Sequence, residues 1–200
     1  MQTMKSPLTA LSAPARRPSN RDDQIELADG RRVQLAPVTA QDAPAERSFV
    51  GALSLSSRYR RFHFGLRELT PEQSRAMTEI DQHHHVAFVA RPEGEAPIVA
   101  DARYVRRADS ADAEFAIAVA DAWQGAGLGR ELLLRLAAHA RAHGVACLFG
   151  DVLWGNGPMI ALARSLDGRL RRTPGDATVV RVEFGFDTKD GVALSCAPTP

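Results

Sequence analysis

Residues 113–130, AEFAIAVADAWQGAGLGR, decide the fold of this chain. Bulky and small residues alternate through the first half, which predicts a strand with two unlike faces. The bulky face holds Phe115, Ile117 and Val119, and the small face holds Glu114, Ala116 and Ala118. We therefore expect the bulky face to pack in a core, and the small face to form a shallow trough with one carboxylate at its end.

The second half of this stretch, QGAGLGR at 124–130, contains three glycines within five residues. An apolar stripe with helical spacing follows, made of Leu128, Leu132, Leu133, Leu136, Ala137 and Ala140. Glycines let a backbone approach a ligand closely, and the N–H groups and dipole at a helix start favour an anion. The order of strand, glycine turn and helix thus predicts a phosphate-binding loop.

The glycine spacing limits which phosphate ligand this loop can hold. A Walker loop needs Lys and then Ser or Thr after its last glycine, whereas Gly129 is followed by Arg130. The spacing GxGxG also differs from the GxGxxG of dinucleotide-binding folds, although Asp151 lies near the position of their ribose-binding acid. Spacing alone leaves open a dinucleotide, or a glycine-rich helix start without a ligand.

The overall composition favours one domain with terminal tails, since the chain has 200 residues, of which 44% are hydrophobic. A net charge of +1 gives no strong field, so neither nucleic acid nor membrane is expected as a partner. Two cysteines, Cys147 and Cys196, are too few for a disulfide framework, and no apolar run is long enough for a membrane span. A cytoplasmic location is the default expectation.

The order of predicted elements indicates a single α/β domain at residues 23–187, between a disordered tail at 1–22 and a loose tail at 188–200. The elements are a hairpin with a type I′ turn at Asp29-Gly30, helices at 39–53, 56–64 and 70–80, strands at 86–90, 98–107 and 113–119, a helix at 127–143, a strand at 145–153, a helix at 159–166 and strands at 168–172 and 179–186. This order predicts a mixed central β-sheet with helices on both faces.

A run of histidines and a basic, aromatic stretch each suggest a function that the rest of the sequence disfavours. Three histidines, at 83–85, raise the alternative of a metal site, but adjacent strand residues point to opposite faces and no further ligand lies at a suitable spacing. We therefore predict no metal. The basic and aromatic stretch at 56–64 raises nucleic-acid binding, which the low net charge disfavours. We instead expect a solvated face with the rings of Tyr59, Phe62 and Phe64 buried.

The glycine-rich stretch resembles the acyl-CoA signature Q/R-x-x-G-x-G/A of the GNAT superfamily of N-acetyltransferases, which Gln124, Gly127 and Gly129 fit. The element order across residues 24–186 is similar to that of the GNAT fold. Six segments also resemble the catalytic domain of the Pat-type protein lysine acetyltransferases: LADGRRV at 27–33, SRYRRF at 57–62, LRELT at 66–70, AEFA at 113–116, WQGAGLG at 123–129 and NGPM at 156–159.

The resemblance implies an acetyl-CoA-dependent enzyme whose glycine loop grips the pyrophosphate of acetyl-CoA. A main-chain N–H near 117–119 would bind the thioester oxygen, in a strand that a bulge splays from its neighbour. Asn156 would hold the pantetheine arm, with Met159 packed nearby. The residues expected to contact acetyl-CoA are Ile117, Ala118, Val119, Gln124, Gly125, Gly127, Leu128, Gly129, Arg130, Asn156 and Met159.

The acceptor chemistry requires a base, because an amine such as that of lysine is protonated near pH 7 and attacks only when neutral. Glu114 is the candidate, from its place at the end of the small face and from the resemblance. Asp101, Asp109 and Asp112 are weaker candidates. The acceptor is expected to be a protein lysine, with a small amine as the alternative, and an edge strand could pair in a homodimer or stay free.

Two departures from the family pattern keep a further alternative open. Many GNAT enzymes carry a Tyr that acts as general acid toward the CoA thiolate, and the matching residue here is Ala163. The sequence Leu-Asp-Gly at 166–168 stands where Leu-Gly-Phe is common. These departures are the sequence support for a non-catalytic acyl-CoA-binding sensor.

Overall fold

The computed structural model of the chain describes residues 23–107, 110–173 and 175–186. The tails predicted at 1–22 and 188–200, Cys196 within the second tail, and the candidate Asp109 lie outside these residues. The strands are β1 (Gln24–Glu26), β2 (Arg32–Pro37), β3 (His85–Pro92), β4 (Ala100–Arg106), β5 (Asp112–Val119), β6 (Cys147–Leu153), β7 (Arg169–Thr173) and β8 (Asp176–Gly185). The helices are α1 (Ala43–Ala52), α2 (Leu55–Phe62), α3 (Pro71–Thr78), α4 (Leu128–Ala142) and α5 (Gly157–Ser165).

The eight described strands form one sheet in the order β1-β2-β3-β4-β5-β6-β8-β7. β5 and β6 run parallel, whereas the other neighbouring strands in this part of the chain pair antiparallel. A parallel pair needs a long crossover, and α4 lies in the connection between β5 and β6. The predicted mixed sheet is therefore confirmed.

Helices pack on both faces of this sheet, as predicted. One face carries the larger core, to which Leu132 and Leu136 of α4 contribute together with Phe115 of β5. The other face carries a second core around Phe49 of α1, against which Ala118 of β5 packs. Neighbouring residues of β5 thus point into different cores, which agrees with the two unlike faces that the sequence predicts.

Two helix starts show how local chemistry sets the elements. At α3, Thr70 N donates to Gln73 Oε1 (2.8 Å) and Gln73 N donates to Thr70 Oγ1 (3.2 Å), which is the predicted capping box. At the first helix, Thr39 N donates to Asp42 Oδ2 (2.7 Å) around a short 3-10 turn, and α1 begins only after it. Pro44 has no N–H to continue a helical ladder, so the predicted helix at 39–53 is a turn followed by α1.

The hairpin between β1 and β2 forms, but its predicted turn type is wrong. Glu26 pairs with Arg32, so the loop has five residues, and Leu27 N donates to Arg31 O (2.8 Å) across it. A type I′ turn needs two residues with positive φ, and in this loop only Gly30 has one, at +81°. Leu27 is buried in the larger core, which draws the first loop residue inward and lengthens the loop.

The predicted burial of the aromatic residues around α2 is wrong for two of the three. Tyr59 is 50% exposed and Phe64 is 52% exposed, whereas Phe62 packs against the second core. No residue of α2 is buried. The helix lies at the rim of a cavity and turns the Tyr59 side outward, which the spacing of aromatic residues cannot reveal.

Two further observations bear on the expected cellular setting. No helix among the described residues combines the length and apolar character needed to cross a membrane. Cys147 is buried on β6 and is not a free thiol. The cytoplasmic location stays a prediction.

Candidate active site

A cavity of about 630 Å³ opens where β5 and β6 part. β5 pairs with β6 only from Asp112 to Glu114, opposite residues 147–149, although both strands continue for several residues. The cavity is lined by the rest of β5, by the glycine loop before α4, by α2 and by the start of α5. One continuous space therefore joins Glu114 to the glycine loop.

Gly150 marks the point at which the two strands part. A Cβ atom at this position would lie 2.9 Å from the Phe115 ring and 3.0 Å from the Phe115 main-chain oxygen. The first contact is closer than real Cβ atoms show and the second is very tight, so glycine lets β6 pass β5 here without displacing Phe115. The bulge expected in β5 is not found, because its pairing with β4 runs without a register shift from Ala113 to Val119. The gap arises on the β6 side instead.

The main chain of β5 offers hydrogen-bond donors to this gap. Ala120 N donates to Val99 O (2.9 Å) and Arg107 N donates to Asp112 O (3.1 Å), so even-numbered residues bond toward β4. Bonding direction alternates along an antiparallel strand. The N–H groups of Ile117 and Val119 consequently point toward the gap, beyond the last residue that β6 pairs.

The glycine loop presents unsatisfied N–H groups at the start of α4. The amides of residues 125–129 make no hydrogen bond to any other described residue. Gly125 and Gly127 have φ of +79° and +92°, conformations that non-glycine residues rarely adopt. Five consecutive free donors at the positive end of a 15-residue helix form a site suited to an anion such as a diphosphate.

The loop is braced from outside the cavity by the β1–β2 hairpin. Arg31 Nη1 donates to Ala122 O (3.0 Å), and the Arg31 guanidinium lies 4.1 Å from the centre of the Trp123 ring. Ala28 N donates to Ala126 O (3.3 Å). These contacts use the carbonyl oxygens of Ala122, in the turn before the loop, and of Ala126 within it, and they leave the loop amides available.

The start of α5 forms the opposite wall of the cavity. Asn156 caps this helix, since Met159 N donates to Asn156 Oδ1 (3.4 Å), and both residues line the cavity with Leu162. Ala163 is fully buried in the larger core and does not face the cavity. Position 163 therefore offers no group that could protonate a leaving thiolate.

The carboxylates near the cavity differ in their exposure and in whether hydrogen bonds already hold them. Asp101 is buried and receives two hydrogen bonds from Arg103, at 2.9 and 2.6 Å, and Asp151 accepts two from Arg181, both at 2.8 Å. Asp112 is buried. Glu114 is exposed at the cavity wall, and no hydrogen bond or ion pair holds its carboxylate within the described part of the chain.

A buried charged cluster lies on the sheet face that carries the second core. Glu46 of α1 is fully buried, neither of its oxygens has a hydrogen-bond partner, and Arg103 Nη2 lies 3.6 Å from Oε1. Burial, with the nearby charge of Asp101, raises the pKa of Glu46 to about 8. The raised pKa favours the protonated, neutral form of this buried carboxyl group. Burial and the charge of Arg103 also lower the pKa of His85.

The structure brings all but one of the predicted site residues to a single cavity. Those that line it are Glu114, Ile117, Ala118, Val119, Gln124, Gly125, Gly127, Gly129, Arg130, Asn156 and Met159. The Leu128 side chain is 1% exposed and lies in the core, so only its main chain faces the loop. Nothing in the sequence indicated Ser57, Arg60, Arg61 and His63 as site residues, and Asp151 was suggested only as a ribose-binding acid. Their place at the cavity depends on how α2 and β6 dock.

Comparison with known proteins agrees with this geometry. The chain matches the acetyltransferase (GNAT) family over residues 52–167. It is 32% identical over 156 residues to an acetyltransferase of Pseudomonas aeruginosa, covering 77% of this chain and 84% of that protein. It is 33% identical over 135 residues to the acetyltransferase Pat of Mycolicibacterium smegmatis, covering 66% of this chain and 40% of the length of that protein.

Among solved structures, the GNAT domain of PAT from S. lividans has a TM-score of 0.76 and 30% sequence identity to this chain. The match covers 82% of this chain and 96% of that domain. Sequence, fold and cavity thus agree. The chain belongs to the acetyltransferase (GNAT) family and is an acyl-CoA-dependent acetyltransferase.

Proposed function

We propose that this protein transfers an acetyl group from acetyl-CoA to a lysine side chain of a protein, by direct attack with Glu114 as general base. The observation that carries the proposal is one cavity that holds both the five unpaired amides of the glycine loop and the exposed carboxylate of Glu114. A diphosphate at the loop would extend the rest of the cosubstrate along the gap toward that carboxylate.

The residues along the gap suit each part of acetyl-CoA. The loop amides and the dipole of α4 would bind the pyrophosphate, with Arg130 at the same wall. Asn156 would hold the amide-rich pantetheine arm, and Met159 would pack against it. Main-chain N–H groups of Ile117 or Val119 would donate to the thioester oxygen, which gains negative charge during attack. The thioester supplies the activated acetyl group.

Glu114 would remove the proton that the attacking amine loses. Deprotonating free lysine at pH 7 costs roughly 4–5 kcal/mol, from a pKa of about 10.4 at 1.36 kcal/mol per unit. A carboxylate at the gap, acting directly or through a water, can take that proton as the C–N bond forms. Its lack of competing hydrogen bonds among the described residues keeps it available for this role.

The leaving thiolate would depart without a protein acid at position 163. Apart from the capping residue Asn156, this part of the cavity is lined by Pro158, Met159 and Leu162 of α5. None of these side chains titrates. A thiol with a pKa near 8.5 is a good enough leaving group to take its proton from water. The absence of a tyrosine at this position therefore does not require a non-catalytic protein.

A protein lysine is favoured as acceptor for two reasons. The six segments that resemble Pat-type protein lysine acetyltransferases support it. The α2 wall next to Glu114 carries Arg60 and Arg61, so the acceptor end of the cavity is not acidic. The repulsion of a cationic acceptor there grows with its charge, so a single lysine is disfavoured less than a polyamine.

The test is turnover of acetyl-CoA by the wild type, Glu114→Gln and the matched control Glu95→Gln, which changes an exposed carboxylate in the β3–β4 loop. Thiol release is followed with lysine-bearing proteins and with small amines. We expect Glu114→Gln to lower kcat by about 10²–10⁴ with unchanged acetyl-CoA affinity, and Glu95→Gln to behave like the wild type.

Each other outcome is informative. Equal turnover by wild type and Glu114→Gln would remove Glu114 as the base. Turnover with small amines alone would replace the protein acceptor by a metabolite. Acetyl-CoA binding without amine-dependent thiol release under any condition would favour the sensor alternative over catalysis.

A further inference from the structure

The carboxylate of Asp121 joins two segments that are far apart in the sequence. Asp121 lies in the turn between β5 and the glycine loop. It accepts hydrogen bonds from Ser54 N (2.9 Å), Ser54 Oγ (2.8 Å) and Ser57 Oγ (2.7 Å), all at the start of α2. The connection that leads into the glycine loop is thus bound to the helix that lines the other side of the cavity.

Gln124 closes this arrangement into a ring. Its Nε2 donates to Ser57 Oγ (3.2 Å) and to Val119 O (2.9 Å). Ser57 Oγ therefore donates to Asp121 and accepts from Gln124. The ring of Ser54, Ser57, Asp121 and Gln124, which we call the α2 clamp, links the end of β5, the first residue of the glycine loop and the start of α2.

α2 has few other anchors in the part of the chain that the structure describes. None of its residues is buried; Phe62 packs at the edge of the second core, and Arg58 Nη1 donates to Gly51 O (2.7 Å). Ser54 is also its N-cap, since Ser57 N donates to Ser54 Oγ (3.1 Å), and the negative Asp121 lies at the positive end of the helix. Arg60 and Arg61 line the cavity one turn further along.

We propose that Asp121 is a positioning residue that locks α2 to the glycine loop, so that binding of the cosubstrate diphosphate and placement of α2 beside Glu114 are coupled. This inference rests on the proposed function, since it assumes that the loop binds acetyl-CoA. Asp121 does not line the cavity and acts through Ser57 and Gln124, which do.

The charge of Asp121 matters for the clamp. Burial would raise the pKa of this carboxyl group, but the hydrogen bonds from Ser54 and Ser57 outweigh burial and hold the pKa below its usual value. An ionised carboxylate accepts from all three donors at once. An asparagine amide has the same shape but offers one oxygen and adds two donors, so it cannot satisfy the same ring.

The test compares wild type, Asp121→Asn and the control Asp81→Asn in the full chain. Asp81 is an exposed carboxylate that also accepts several hydrogen bonds, from the main-chain N–H groups of His83, His84 and His85, but it lies outside the cavity and the clamp. CoA affinity is measured by calorimetry, and amide hydrogen exchange is followed across α2 with and without CoA.

We expect Asp121→Asn to weaken CoA binding about tenfold, as loss of hydrogen bonds to a charged group predicts. CoA should slow exchange in α2 of the wild type and of Asp81→Asn, and this slowing should be lost in Asp121→Asn. A purely structural role would lower thermal stability without uncoupling α2 from CoA. Ser57→Ala is the second variant, and it should reproduce both effects without adding to those of Asp121→Asn.

Two outcomes would overturn the inference, and they are distinguishable. If Asp121→Asn or Ser57→Ala binds CoA and protects α2 as the wild type does, the clamp has no positioning role. If the wild type itself does not bind CoA, the proposed function fails and the inference fails with it.

Discussion

Replacing Glu46 by glutamine tests how the buried charged cluster shapes stability. Glu46 is fully buried, and both of its carboxylate oxygens lack a hydrogen-bond partner. The 3.6 Å contact with Arg103 is too long for a hydrogen bond, and Arg103 is already bound in bidentate fashion by Asp101. Replacing Glu46 therefore does not leave Arg103 unpaired, and glutamine preserves the volume of the side chain.

The magnitude follows from the raised pKa of Glu46. The pKa of Glu46 is 4.5 in the unfolded chain and about 8 in the folded protein. Between these two pH values, the folded protein keeps a proton on Glu46 that the unfolded chain has lost. The free energy of unfolding therefore falls as the pH rises through this range and levels off above it. At 1.36 kcal/mol per pKa unit, the loss is at most roughly 4–5 kcal/mol. Glu46→Gln removes this pH-dependent penalty.

The assay is urea unfolding of the wild type, Glu46→Gln and Glu95→Gln between pH 5 and 9. We expect Glu46→Gln to match the wild type near pH 5 and to be more stable by about 2–4 kcal/mol at pH 8.5. Glu95→Gln should follow the wild type throughout. A wild-type stability that does not fall from pH 5 to pH 8, or a Glu46→Gln variant that is less stable at pH 8.5, would refute the reasoning.

Two glycine variants test the cavity, with Gly65→Ala as a control that meets no neighbour within 4 Å. Gly127→Ala places a side chain at φ +92°, which costs about 1–2 kcal/mol. Calorimetry should therefore show CoA binding weakened by about tenfold. Unchanged affinity would contradict the role of this loop conformation. Gly150→Ala forces a Cβ against Phe115. Thermal unfolding should therefore reveal a loss of about 1–3 kcal/mol in the free energy of unfolding, and turnover should fall. Wild-type values of both would show that the gap tolerates a side chain.

Short sequence patterns predicted the parts of the fold that depend on residues close together in the chain. Alternation along residues 113–119 predicted β5 and its two faces, because side chains on a strand point alternately to opposite sides. Thr70 and Gln73 predicted the start of α3 through a capping box that needs only four residues. The glycine loop was predicted because its positive φ angles and the following helix are both encoded within a few positions.

Features that depend on docking were not predictable in the same way. The exposure of Tyr59 on α2, and of Phe64 just after it, depends on how this helix docks, and an amphipathic pattern does not identify the surface that covers a helix. Arg61 reaches the cavity, and Asp121 meets Ser57, only through long-range packing. Short-range patterns carry no information about contacts between residues more than 60 positions apart.

The site itself was predicted mainly from a family resemblance, and the structure adds the physical arrangement. Asp101 was a candidate base from its position, but its bidentate contact with Arg103 removes it from that role. Glu114 remains the candidate, because it is exposed at the cavity and lies where β5 and β6 part. The sequence favoured Glu114 through its place on the small face and the family resemblance, but no local pattern could reveal that Arg103 engages Asp101.

A crystal structure of the protein with acetyl-CoA tests the central claim most directly, through the distances between the diphosphate oxygens and the amide nitrogens of residues 125–129. We predict at least three such distances in the hydrogen-bond range of about 2.7–3.2 Å, with the thioester in the gap between β5 and β6 beside Glu114. A diphosphate bound elsewhere, or a thioester that does not reach the side of the gap where Glu114 lies, would contradict the account.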